Sequence, residues 1–359
     1  AKSPAVCFGS LIVLLSMIST TIIIGESVEE LFRTVQANIS DAAGWFFILL
    51  AYLLMFFLIY LAFSKFGKIR LGGVDAKPDF SRISWFSMLF SAGLGIGLLF
   101  YGVAEPIYHF NDNPFVDNID TIAAARSAIG ITFYHYGITA WSSYATVGLA
   151  LAFFTFNLKL PLTIRSIFYP LLGDKIYGRW GDLIDVISVI ATVVGLATSL
   201  GLGAQQVNAG IEYLFGIEYS REAQMIIIVI ITALATLSLL AGLDKGIRRL
   251  SEINMGLAMV LLVFVLAIGP TAFLMDSFVQ NLGYYIDNFF KIGLWTESFV
   301  GVKDDSNWQN VWTVFYYAWW IAWSPFVGIF IARVSKGRTI TEFILGVVLV
   351  PSLLTFLWM

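Results

Sequence analysis

An all-α polytopic membrane protein is the fold class this sequence predicts, and three observations predict it. Hydrophobic residues make up 58% of the 359-residue chain and charged residues only 13%, with a mean hydropathy of +0.83. Soluble domains carry about 25% charge, and no soluble interior of this length hides so much apolar surface. The apolar residues fall in runs of about 20, the length a helix needs to cross hydrocarbon. None of them forms the short alternating segments of a transmembrane β-barrel. The loops between the runs are alternately basic and acidic.

Nine spans are predicted, at 5–24, 43–64, 84–108, 127–157, 182–214, 223–243, 251–275, 308–333 and 340–359. The first lacks a small-residue cleavage site, so it reads as a span and not a removable signal peptide. Residues 277–295 mix aromatic and polar side chains and predict an amphipathic helix on the membrane surface. The domain organisation is then two leading helices with a basic loop (1–83), five helices (84–275), the amphipathic helix and a loop (276–307), and two further spans (308–359). The chain stops at Met359 inside an apolar run with no polar tail, so it is expected to be part of a longer protein.

Charge sets the expected orientation. Lys65, Lys68, Arg70, Lys77 and Arg82 crowd one loop; Lys159, Arg165, Lys175 and Arg179 the next of that phase; then Lys245, Arg248 and Arg249; then Arg333, Lys336 and Arg338. The intervening loops hold Glu26, Glu29 and Glu30, then Asp112, Asp117 and Asp120, then Glu297, Asp304 and Asp305. The positive-inside rule places the basic loops and the N-terminus in the cytoplasm. The net charge of −3 gathers into no basic face, so no nucleic-acid partner is expected. The single Cys7 excludes an intrachain disulfide framework and a cysteine metal cluster.

Chemistry concentrates in the third, fourth, fifth and eighth spans. The third reads Ser91-Ala92-Gly93-Leu94-Gly95-Ile96-Gly97. Each glycine costs a helix about 1 kcal/mol against alanine. Two uses would compensate: close helix packing through the Gly93/Gly97 spacing, or unwound backbone that lines a cavity. Glu105-Pro106 closes the span, which puts Glu105 at the outer mouth, with His109 just beyond. The fourth carries His135-Tyr136-Gly137, Trp141 and Tyr144; the eighth carries Trp312 through Trp323. Trp308, Trp312 and His135 suit an interfacial belt. Trp319, Trp320 and Trp323 fall at mid-span, either as helix packing or as an aromatic box for a cation that has no N–H to donate. Pro325 follows and predicts a kink. Thr192, Thr198, Ser199, Gln205, Gln206 and Asn208 in the fifth span serve as helix glue or as ion ligands. Asp182 and Asp185 open that span as a dipole-favoured start.

Together these residues resemble the betaine/carnitine/choline transporter family. The likeness runs through Ser91–Gly102, Ala104-Glu105-Pro106, His135–Tyr144, Gly195–Gln205 and Trp312-Thr313-Val314-Phe315-Tyr316-Tyr317-Ala318-Trp319-Trp320, then Ser324–Gly328 and Ala332-Arg333. Val311 and Tyr317 depart from the family's eighth-span pattern. The resemblance implies an inverted-repeat, LeuT-like transporter core with about nine of an expected twelve spans present. It also implies a multi-pass protein of the plasma (inner) membrane, a homotrimer formed with help from the helix near 277–295, and a role in osmoprotection.

The resemblance further implies that Tyr136, Trp141, Tyr144 and Trp320 hold the onium group, with Trp319 and Trp323 nearby. Tyr136 stands where betaine carriers usually have Trp, a weaker π face with an added hydroxyl. Gly93, Gly95 and Gly97 would offer N–H groups to the substrate carboxylate. Gly97, where choline-type relatives tend to carry an acid, points to a zwitterion such as glycine betaine. No cofactor is implied beyond a coupling sodium ion. One sodium site would use Ser91 and Leu94; a second would use Thr192 and Phe326, with Leu196 in place of its second threonine. The expected function is sodium-coupled uptake by alternating access. Its rivals are sodium-independent exchange, proton-coupled carriage of choline- or carnitine-type substrates, and a solute sensor that does not pump. An enzyme is not expected, since no nucleophile–base pair is visible and both histidines are placed near span ends.

Overall fold

The structure is a computed structural model that describes residues 3–93, 95, 97–119, 121–242, 246–299 and 307–359. Helices dominate, and no named strand occurs among the described residues. Among the described residues, eight helices are long and apolar enough to cross a membrane, or nine if the bent pair Arg82–Gly93 and Gly97–Asn111 is one span. This matches the predicted count and establishes the all-α polytopic class.

The chain opens with α1 (Pro4–Ile24) and α2 (Glu26–Phe63). The third predicted span is α3 (Arg82–Gly93), a π-helical turn at Gly97–Tyr101 and α4 (Gly102–Asn111). The fourth is divided into α5 (Ile122–Tyr136) and α6 (Ile138–Phe156). A short α7 (Tyr169–Leu172) precedes α8 (Arg179–Phe215). Then come α9 (Arg221–Leu240), α10 (Arg248–Ile268), α11 (Thr271–Gly293), a π-helical turn at Asn310–Val314, α12 (Phe315–Val334) and α13 (Ile340–Trp358).

Three expectations need correcting. The seventh span ends at Ile268, not 275, because Gly269-Pro270 removes a helical donor and stops the helix. The amphipathic helix therefore begins earlier, at Thr271. The fourth span is interrupted at Gly137, where a Cβ would come within 2.6 Å of the Phe133 carbonyl and 2.8 Å of Phe356 and of the Tyr285 hydroxyl. The expected kink at Pro325 is not among these: the helix runs on through the proline, and Ser324 Oγ donates to the Ile321 carbonyl at 2.7 Å. That is the carbonyl the proline's missing N–H would have engaged.

The chain forms two compact units. The first comprises Ala1–Asp79, Ile138–Val194 and Phe289–Val348. Here α6 and α12 pack closely through Gly148 and Gly328. A Cβ on Gly148 would stand 3.2 Å from Ile331, and one on Gly328 only 2.7 Å from Val147 and 3.1 Å from the Gly148 nitrogen. Small residues allow such approach in a membrane, where dispersion between helices replaces the hydrophobic drive. At one end the chain after α2 is tied to the turn before α13. Leu71 and Ile340 donate N–H bonds to Arg338 and Ile69, and the Arg70 guanidinium reaches the Gly337 carbonyl at 2.6 Å. Thr339 and Glu342 cap α13 reciprocally, each backbone N–H donating to the other's side chain.

The second unit comprises Phe80–Gly137, Gly195–Asn288 and Leu349–Met359. In it α4 lies against α5 and α3 against α10. Ser91 Oγ donates to the Ser251 carbonyl at 3.2 Å and accepts from Asn254. Phe133 stacks on Phe356 with centroids 4.4 Å apart.

The Gly328 contact is directly testable. Gly328→Ala should lower the thermal midpoint in detergent, by the roughly 1–3 kcal/mol that overpacking costs. Val147→Ala should recover part of that loss, because the shortest clash is with its side chain.

Candidate functional site

Of the aromatic residues predicted from the fourth and eighth spans, Trp141, Tyr144, Trp319 and Trp320 are brought together by the α6–α12 pair within the first unit, whereas Tyr136 lies in the second. Trp141 and Tyr144 lie one turn apart on α6, with ring centroids 5.6 Å apart at 76°. Tyr144 meets Trp320 of α12 at 6.0 Å and 72°. Three consecutive rings thus stand nearly at right angles and form a corner. Each is almost wholly buried, at 5%, 5% and 8% exposure. Trp320 is backed by Tyr316 at 5.6 Å and by Trp319 at 5.2 Å, both nearly parallel to it. Trp312, on the π-helical turn, continues the stack onto Tyr316. Trp323 does not join it; its ring pairs with Phe326 at 5.0 Å. The phenol of Tyr317 donates to Thr139 Oγ1 at 2.9 Å and pins α12 to α6 beneath the corner.

Ring faces carry partial negative charge, so such a corner can hold a desolvated cation without a hydrogen bond. π-helical turns frequently accompany functional sites because they rotate the side chains that follow them. Here one precedes the aromatic stack. The sequence flagged this motif by composition but not by its local geometry.

The glycine break lies in the second unit. α3 ends at Gly93, and the continuing helix is bent 71° from it. The Gly95 N–H turns back to the Gly93 carbonyl at 2.9 Å, and the Leu99 N–H donates to Gly95. Gly97 opens the π-helical turn, and its carbonyl accepts the Tyr136 hydroxyl at 3.2 Å. The glycines therefore unwind the span, and Tyr136 braces it.

The expected sodium ligands are spread over different elements. Ser91 is engaged with α10 as above, and Leu94 lies outside the described residues. Thr192 donates to the Ser188 carbonyl one turn back, and Phe326 is largely exposed. In the same fifth span Gln206 reaches the Leu99 carbonyl, and Asn208, fully buried, bonds Glu218 and Ser220. Those two contacts are of the helix-glue kind.

Several polar placements differ from expectation. Glu105 is fully buried, and so are His109 and His135. His109 Nε2 is 3.1 Å and His135 Nδ1 2.5 Å from the same Glu105 Oε1. The i,i+4 spacing of Glu105 and His109 was the available signal. Trp308 is likewise buried and packs edge-on to Trp295, so it is no lipid-facing belt residue. Asp182 and Asp185 do more than start α8. They hold the Arg165 guanidinium at 2.8 Å and 2.5 Å. Burial opposes that charge, but the bonds to Asp185 and Asp182 outweigh it and raise the arginine's pKa.

Comparison with known proteins converges on one family. Residues 5–359 match the family described as betaine/carnitine/choline family transporter. The chain is 49% identical over 336 residues to the glycine betaine transporter OpuD of Bacillus subtilis, covering 93% of this chain and 65% of that one. It is 43% identical over 357 residues to a glycine betaine transporter of Acinetobacter baylyi, covering 99% and 53%. To the high-affinity choline transport protein of Escherichia coli it is 45% identical over 321 residues, covering 89% and 47%. The chain thus spans about half to two thirds of the length of these three relatives.

The Tyr317–Thr139 bond supplies a test of the α6–α12 clamp. Tyr317→Phe and Thr139→Val should each lower stability by about 1 kcal/mol. In a double-mutant cycle read by denaturation, the pair should lose less than the sum of the two.

Proposed function

The chain belongs to the betaine/carnitine/choline family of transporters, and from that premise we propose that it imports an onium zwitterion, such as glycine betaine, by secondary active transport. The observation that carries this reading is the buried corner of Trp141, Tyr144 and Trp320. A trimethylammonium group cannot donate an N–H bond, so a polar pocket gives it nothing that water does not. Ring faces attract it by about 2 kcal/mol once it is desolvated. Tyr316 and Trp319, stacked behind Trp320, hold that face in place.

The choice of a zwitterion over choline rests on Gly97, where choline-type relatives tend to carry an acidic residue. Coupling is to sodium, with transport by alternating access in an inverted-repeat core. Thr192 retains one of the two threonine positions of a family sodium site, and Leu196 replaces the other. The protein sits in the plasma membrane with its N-terminus in the cytoplasm, as the alternation of basic and acidic loops supports. It assembles as a homotrimer with help from α11, and it serves osmoprotection.

Uptake into proteoliposomes tests the proposal. The full-length protein should accumulate labelled glycine betaine in preference to choline or carnitine, and faster with an inward sodium gradient. Absence of saturable uptake of any onium solute would refute the substrate class; uptake indifferent to sodium would refute the coupling and favour exchange or proton coupling. Trp320→Ala should weaken apparent affinity more than tenfold, the equivalent of about 2 kcal/mol. Trp320→Phe should retain part of it.

A further inference from the structure

Glu105, His109 and His135, which the proposed function does not use, form a fully buried cluster of ionisable side chains in the second unit. All three are 0% exposed. Glu105 and His109 are one turn apart on α4, and His135 comes from the last turn of α5, which packs against it. Their ligand atoms all lie within 4.8 Å of one another, and both imidazoles point a nitrogen at Glu105 Oε1. The two rings are inclined at 54° with centroids 5.9 Å apart, so their nitrogens converge while their bodies diverge.

Two imidazole nitrogens and one carboxylate oxygen are a donor set for borderline divalent ions. Donors about 2.1 Å from a tetrahedral ion stand roughly 3.4 Å apart. The His109 distance to Oε1, 3.1 Å, falls just inside that separation and the His135 distance, 2.5 Å, well inside it, so the His135 ring has to swing away from the carboxylate to admit an ion. A simple brace between α4 and α5 could use a serine or an asparagine. Burying a carboxylate and two imidazoles within a span is expensive, and such groups mark function by default.

We propose that Glu105, His109 and His135 form a divalent transition-metal site of the zinc type. The ion takes the two ring nitrogens that face Glu105 Oε1, each neutral imidazole then carries its proton on its other nitrogen, and the ion clamps α4 to α5. Three protein ligands leave one coordination position for water. The neighbour of one ligand, Tyr136, braces Gly97, so the clamp also steadies the glycine break. The site stands on its own geometry and does not depend on the onium reading.

The test uses the full-length protein, purified in detergent through a tag without histidines. It is produced in medium with added zinc and, separately, equilibrated with cobalt. About one zinc per chain should survive dialysis. Bound cobalt should show the intense visible bands of tetrahedral coordination, and zinc should displace them. His109→Gln and Glu105→Gln should each reduce retained metal at least tenfold, while gel filtration shows an intact protein. Wild-type protein that retains only trace metal, and gives only the pale octahedral cobalt spectrum, would overturn the proposal whatever the variants do. So would a well-folded His109→Gln variant that binds as the wild type does.

Discussion

A bilayer offers no partner to a backbone N–H or C=O, so each interruption of a helix must be satisfied inside the protein. The rest of this structure depends on that constraint. Each interruption carries a specific remedy. At Pro325 the orphaned Ile321 carbonyl takes the Ser324 hydroxyl, and the helix continues. At the glycine break the Gly95 N–H turns to Gly93, and the Gly97 carbonyl takes the Tyr136 phenol. At Gly137 the absence of a side chain lets Phe356 and Tyr285 close over the gap. The hydrogen bonds at Pro325 and at the glycine break are thus made within the protein.

Helices that carry no such burden look different. None of the apolar window of α8 or α9 is buried within the protein, and little of α1 is. Their side chains face outward as lipid-facing surfaces do. The α6–α12 pair is the opposite case, with Gly148, Gly328, Thr139 and Tyr317 turned inward. A membrane protein concentrates aromatic mass where small residues elsewhere on the same helices have brought the backbones together.

The spans were legible in the sequence because hydropathy and length are local properties, and nine runs of the right length needed no partner to be recognised. The aromatic corner was half legible. Trp141, Tyr144 and Trp320 could be named, but Trp323 could not be separated from them, since its pairing with Phe326 is a matter of rotamer. The break at Gly137 was not legible, because one glycine in an apolar run leaves the run's length unchanged. Trp308 and His135 misled because interfacial composition does not say which way a side chain turns. The Glu105 cluster needed the pairing of α4 with α5, which no spacing along the chain encodes.

Tyr136 shows how one departure from a family pattern reaches into that scheme. A tryptophan at this position would offer a stronger π face. The tyrosine offers a weaker one, but its hydroxyl donates to Gly97, a carbonyl that an unwound span must satisfy. A phenol held by that bond is oriented by the backbone of the break and is less able to follow a cation. In the proposed onium site the binding face then falls to Trp141, Tyr144 and Trp320, which are fixed by one another and by the stack behind them. Tyr136 becomes a brace for the segment whose unwinding the glycines permit. The weaker aromatic thereby trades cation attraction for a settled backbone.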